Sequence, residues 1–147
     1  MPTDIKILGP DDLNVLSNIA SDVFDNRIDQ QFATEFLDDP RHHLAAAIDD
    51  GQVVGFASAV HYVHPDKPPE LWINEVGVAP GHQGRGIGRA LMRSLFELAR
   101  TLECKEAWVL AEGSNEGAQR FYTALGGEPS SAVMFSFRLN DRDIENT

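Results

Sequence analysis

The chain reads as a mixed α/β fold in a single domain. Three observations predict it. Runs of strand-like residues alternate with runs of helical spacing. Glycine and proline punctuate nearly every change between them. A glycine-rich loop stands between the longest strand candidate and the clearest helix. The 147 residues suit one domain spanning 1–147. The predicted order is β-α-α-β-β-β-α-β-α-β.

Ile5-Lys6-Ile7-Leu8 reads as a first strand, stopped by Gly9-Pro10. Asp11 and Asp12 favour a helix start, and Leu13, Leu16, Ile19, Ala20 and Val23 follow at helical spacing. A second helix is predicted from about Asp29 to Leu37, ended by Pro40. His43 to Ile48 and Val53 to Val60 are strands, with Asp49-Asp50-Gly51-Gln52 as their hairpin turn. His64 to Pro69 holds three prolines and is a loop. Glu70 to Val78 is a long strand, broken by Ala79-Pro80-Gly81.

Gly86 to Leu102 is the clearest helix, with Ile87, Ala90, Leu91, Leu95, Leu98 and Leu102 as its buried stripe. Ala107 to Leu110 is expected to be a short buried strand. Ser114-Asn115 caps a helix carrying Ala118, Phe121, Tyr122 and Leu125, closed by Gly126-Gly127. Val133 to Leu139 completes the sheet as a last strand, and the polar tail 140–147 is expected to fray.

Composition narrows the function classes. The net charge of -11 supplies no broad basic face for nucleic acid, and it suits a cationic substrate. No apolar run approaches a membrane span. Met1-Pro2-Thr3-Asp4 lacks the pattern of a signal peptide, and the single Cys104 forms no internal disulfide, so a cytoplasmic location is expected. His42, His43, His61, His64 and His82 show no metal-ligand spacing, and no metal is expected.

The segment Val76 to Leu91 is the chemically informative one. Gly84, Gly86 and Gly88 remove side chains where a ligand approaches the backbone. The unbonded N–H groups of a helix start, at the positive end of its dipole, make an anion site. Arg85 and Arg89 add positive charge suited to a phosphate. Neither a P-loop nor a dinucleotide fingerprint fits: Ile87 stands where the P-loop lysine belongs, and Arg89 and Leu91 where the third dinucleotide glycine belongs. Two alternatives stay open on the residues alone: a glycine-rich tight turn, and a dinucleotide site with Glu112 as its ribose acid.

Gln83-Gly84-Arg85-Gly86-Ile87-Gly88 resembles the Arg/Gln-x-x-Gly-x-Gly/Ala motif of the GCN5-related N-acetyltransferases. Asn74-Glu75-Val76-Gly77-Val78 is similar to the acid plus V-x-V strand of that family. Asn115 to Tyr122 is similar to its N-x-x-A-x-x-F-Y helix. The resemblance implies a mostly antiparallel mixed sheet with a splay after the fourth strand, flanked by about four helices. It implies acetyl-CoA as cosubstrate. The diphosphate falls to Gln83, Gly84, Arg85, Gly86, Ile87, Gly88 and Arg89. The pantetheine arm falls to Val76, Gly77, Val78, Asn115 and Ala118, and the thioester sulfur to Tyr122.

Acetyl transfer from a thioester needs a neutral amine and a protonated leaving thiol. Glu75 is the candidate base, direct or through water, and Tyr122 the candidate acid. A free N–H near Val76 suits the oxyanion. The plainer readings are a solvated strand glutamate and a packed tyrosine. Trp72 and Trp108 read as packing, and Cys104 as no nucleophile.

Ile7 to Asp12, Val23-Phe24-Asp25 and Ala132 to Phe135 are further similar to aminoglycoside 3-N-acetyltransferases, although Glu75 stands where aspartate is commoner. This implies an aminoglycoside acceptor and antibiotic resistance, with Asp25, Asp29 and Glu112 as ammonium contacts. A polyamine, amino-acid or protein amine acceptor is the alternative, and a non-catalytic acyl-CoA-binding module the alternative of another class. The resemblance also implies a homodimer, through an edge strand near Val133 to Leu139.

Overall fold

A computed structural model of the chain describes residues 3–140. The chain divides into two compact units, Met1–Leu110 and Ala111–Thr147. The first holds a five-stranded sheet in the order β1 (Asp4–Leu8), β2 (His42–Asp49), β3 (Gln52–Tyr62), β4 (Glu70–Val78) and β5 (Glu106–Val109). The first three pairings are antiparallel and β4–β5 is parallel. A parallel pair needs a crossover, which helix α2 (Ile87–Thr101) supplies. At the β2–β3 hairpin Asp50 (φ 51°) and Gly51 (φ 75°) both sit left-handed, the turn whose twist matches its strands.

Helix α1 (Gln30–Asp38) starts where predicted, because the Asp29 carboxylate accepts from Phe32 N–H at 3.0 Å. The helix expected after Asp11 is instead a 3-10 helix over Pro10–Ser17. Beyond it the backbone groups are committed to β3. Val53 N–H donates to Asn18 (2.9 Å) and Ala20 N–H donates to Val53 (2.9 Å). Asp22 then turns left-handed (φ 63°). Hydrogen bonds to β3 thus override helical spacing from Asn18 to Val23.

α2 buries Ile87, Leu91, Met92, Leu95 and Ala99 on one sheet face. Ala90, Leu98 and Leu102 of the predicted stripe are only half-buried, and Met92 and Ala99 take their place. Gly55 lets the helix approach, since a Cβ there would stand 3.2 Å from Ile87 Cγ2. Phe24 stacks on Phe56 at 3.9 Å, and Phe36 of α1 stacks on His42 at 5.1 Å, both on the opposite face. β5 is not the buried strand expected. Within the first unit it is the outermost strand, and there Glu106, Ala107 and Trp108 are exposed.

In the second unit, α3 (Glu116–Ala124) is capped by Asn115, whose Oδ1 accepts from Ala118 N–H at 3.0 Å. Gly126 (φ 96°) and the bond from Gly127 N–H to Tyr122 O (3.0 Å) end it. The last strand expected at Val133 to Leu139 is absent from the described residues. The alternating apolar pattern is there, but within the second unit it finds no backbone partner among the described residues. Most of the tail expected to fray, 140–147, lies outside the described residues.

His43, buried on the α2 face, contacts His61 with Nε2 and Nδ1 2.8 Å apart. Burial, then the neighbouring His61, pushes its pKa from 6.5 down to about 4. Above pH 6.5 both folded and unfolded states hold it neutral. Between 6.5 and 4 the unfolded chain binds a proton that the folded one refuses. Stability therefore falls as pH drops through that window. The slope of the urea midpoint against pH there is expected to be shallower in His43→Gln. Leu95→Ala is expected to cost about 2–5 kcal/mol by urea denaturation, because Leu95 is fully buried.

Candidate functional site

The site elements of the first unit gather where β4 parts from β5. The two pair over Glu70↔Glu106 to Ile73↔Val109 and no further, so Asn74 to Val78 keep an open edge. Ala79 N–H donates to Val54 O at 2.8 Å, towards β3. Strand residues alternate, so Val78 and Val76 turn their N–H and C=O groups to the open edge. This places the residues predicted to meet a pantetheine arm on an unpaired edge.

A bulge decides where Glu75 points. Ser58 pairs with Glu75 and Ala59 with Ile73, which leaves Asn74 unopposed. Without that extra residue Glu75 would share the α2 face with Ile73 and Leu71. With it, exposed Glu75 shares the other face with Ser58 and Trp72. Gly77 is required by contact: a Cβ there would stand 2.6 Å from the Val23 carbonyl oxygen and 2.9 Å from Phe56. Sequence reading missed both features, since neither a bulge nor a close approach has a local signature.

At the end of β4 the chain turns through a short 3-10 helix, Pro80–His82, into the glycine loop. His82 Nε2 lies 3.0 Å from the Asp49 carboxylate, and Gln83 Nε2 donates to Val78 O at 3.2 Å. Gln83 is thus a brace between loop and strand. Gly84 and Gly86 are left-handed, both at φ 78°. Among the described residues, the N–H groups of Gly84 to Arg89 reach no protein acceptor. The first helical bond runs from Ala90 N–H to Gly86 O at 3.0 Å. Arg85 and Arg89 are exposed and belong to none of the ion pairs among the described residues. A groove of about 390 Å³ opens beside Gly86, lined by Arg89, Arg93 and Ser94 and by Ile5 of β1. Unbonded donors, a helix dipole and free guanidinium groups make this an anion site.

The proposed ammonium contacts divide. Asp29 is spent on capping α1, while Asp25 is exposed with no ion-pair partner among the described residues. Glu112, Asn115, Ala118 and Tyr122 stand in the second unit. There Asn115 Oδ1 and Ala118 N–H satisfy each other, which leaves the Asn115 amide N–H groups as donors. Burial pushes the Tyr122 pKa up, so its phenol holds its proton more firmly. Burial and the charge of Glu70 likewise push the Cys104 thiol up, against thiolate chemistry. The described residues hold no group of three or more His, Cys, Asp or Glu side chains set to bind a metal.

Gly86→Ala is expected to lose about 1 kcal/mol of stability, because alanine is strained at a left-handed φ. Gly81→Ala, at an ordinary φ with nothing within 4 Å of the added carbon, is expected to stay within about 0.5 kcal/mol. Paired urea titrations check both.

Residues 13–126 match the family model described as the acetyltransferase (GNAT) family. An uncharacterized N-acetyltransferase of Mycobacterium tuberculosis is 34% identical over 109 residues, covering 74% of this chain and 67% of that protein. Among solved structures, an aminoglycoside acetyltransferase from an uncultured soil metagenomic sample is similar with a TM-score of 0.81 and 24% identity. That match covers 95% of this chain and 99% of the other. The aminoglycoside acetyltransferase AAC(6')-Iy, in complex with a bisubstrate analog of CoA and acetylneamine, gives 0.79 and 22% identity over 94% and 99%. With the family model spanning most of the sequence, the chain belongs to the GNAT family, and it is an N-acetyltransferase with the α/β fold of that family.

Proposed function

We propose that this acetyltransferase moves the acetyl group of acetyl-CoA to a primary amine of an aminoglycoside, at the 3-N position. The observation that carries the coenzyme half is the run of unbonded N–H groups from Gly84 to Arg89 at the start of α2, beside the open edge of β4. The diphosphate sits on those donors with Arg85 and Arg89. The pantetheine arm pairs with the free backbone groups of Val76 and Val78. From their motif alone, Asn115 and Tyr122 serve the arm and the sulfur. Acetyl-CoA, when bound, supplies an activated acyl carbon.

The chain supplies proton handling and charge stabilisation. Glu75 accepts the proton of the attacking ammonium, directly or through water. The Val76 N–H donates to the carbonyl oxygen as negative charge develops there. Tyr122, held protonated, gives its proton to the departing sulfur. The acceptor half is supported by the net charge of -11 and by the likeness in fold to aminoglycoside acetyltransferases. Because one of those neighbours is of the 6' type, the position acetylated is read from the product.

The test is an acceptor panel with acetyl-CoA, following thiol release, with product mapping by NMR. Acetylation of aminoglycosides at 3-N is expected. Turnover only on spermidine, amino acids or peptides would reject the acceptor, and failure to bind CoA by calorimetry would reject the whole reading. Glu75→Gln is expected to lower kcat/KM about 10²–10⁴-fold with little change in CoA affinity. An unchanged kcat/KM in that variant would remove Glu75 as the base.

A further inference from the structure

From Val53 to Val60, β3 carries one polar side chain, Ser58. Size does not account for its hydroxyl. Where this part of the sheet takes a small side chain it uses alanine, at Ala45, Ala46, Ala47, Ala57 and Ala59, all fully buried. A hydroxyl set among apolar neighbours calls for a polar partner. Strand register narrows the choice. On the β2 side Ser58 faces Leu44, and along its own face of β3 its neighbours are Phe56 and Val60. On the β4 side it faces Glu75.

The bulge creates this pair. The register slips between Ser58 and Ala59, where Asn74 is unopposed. The extra residue turns Glu75 to the face of Ser58, and the same slip sets the two directly opposite. Directly opposed residues on one face of an antiparallel pair hold their Cβ atoms about 4.5–5.5 Å apart. Within the first unit, neither the Ser58 hydroxyl nor the Glu75 carboxylate bonds to a protein group among the described residues. Two polar groups at that spacing and not bonded to each other suit a single bridging water. Along the sheet the pair is bracketed by apolar groups, the Phe24–Phe56 stack on one side and Trp72 on the other.

We infer that Ser58 is the positioning residue of the general base: its hydroxyl donates to a water that in turn donates to the Glu75 carboxylate. The second lone pair of that water faces the ammonium of the acceptor. In the transfer the ammonium gives a proton to this lone pair as the water gives one of its own to Glu75. The amine is left neutral and the glutamate protonated, while the water and Ser58 end as they began. Ser58 fixes where the water oxygen stands and exchanges no proton itself. The inference rests on Glu75 being the base, and it selects the water-mediated route over direct transfer.

The test is a double-mutant cycle of Ser58→Ala and Glu75→Gln, with Ser58→Thr alongside, measured on acetyl transfer to the best acceptor of the panel. Ser58→Ala is expected to lower kcat about fivefold to tenfold, with both KM values within about twofold. Ser58→Thr keeps the hydroxyl and is expected to recover most of the loss. In the Glu75→Gln background Ser58→Ala is expected to lower kcat no further, because the base it serves is gone. An unchanged kcat in Ser58→Ala, or full additivity of the two substitutions, would overturn the role of Ser58 and leave Glu75 as the base. An unchanged kcat in Glu75→Gln would remove the base, and this inference with it. A second cycle reads urea midpoints and needs no turnover. It uses Glu75→Ala, since glutamine still accepts a hydrogen bond. Even with no amine acetylated, non-additive midpoints of Ser58→Ala and Glu75→Ala sustain the water bridge, and additive midpoints remove it.

Discussion

β4 pairs with β5 through Glu70 to Ile73 and then runs on alone to Val78. Backbone polar groups need partners, so an interior strand left open on one side is costly unless something else pairs with it. Within the first unit, β5 supplies no partner to Val76 or Val78, and the Val78 carbonyl accepts from Gln83. The rest of the first unit is arranged around this open edge. Gly77 stays bare so that the Val23 carbonyl and Phe56 can close over one face. Gly55 stays bare so that the start of α2 can come down on the other. The glycine loop is thereby delivered to the end of the same strand that bears Glu75.

Electrostatics divides this unit by sign. The loop and first turns of α2 carry Arg85, Arg89 and Arg93 in a chain of net charge -11. Cations at a helix N-terminus oppose its dipole, and arginines four residues apart repel one another. A bound polyanion relieves both costs at once. The sheet face opposite α2 has the reverse character, with Glu70, Glu75 and Glu106 beside an aromatic row.

Legibility in the sequence followed the range of the interactions. The hairpin at Asp50-Gly51, the Asp29 start of α1 and the Asn115 start of α3 were readable because each depends on residues within a turn of itself. The loop from Gln83 to Gly88 was readable for the same reason. The stretch from Asn18 to Val23 was misread as helix because its hydrogen bonds go to Val53, far along the chain. Val133 to Leu139 is not a strand among the described residues, because alternation permits pairing without supplying a partner within the second unit. Trp72 and Trp108, read as packing, do pack, each on the other.

From the sequence alone, the fold class, the place of the glycine loop at a helix start and the kind of reaction were determined, because spacing, glycine placement and helix-start chemistry are local. Tertiary structure decided which face Glu75 occupies, through the single unopposed residue Asn74. It also decided that pairing with β5 stops short of Val76 and Val78, and that Tyr62, Trp72 and Trp108 stack in one row. Those outcomes depend on strand register, and register is settled between segments dozens of residues apart rather than within any one of them.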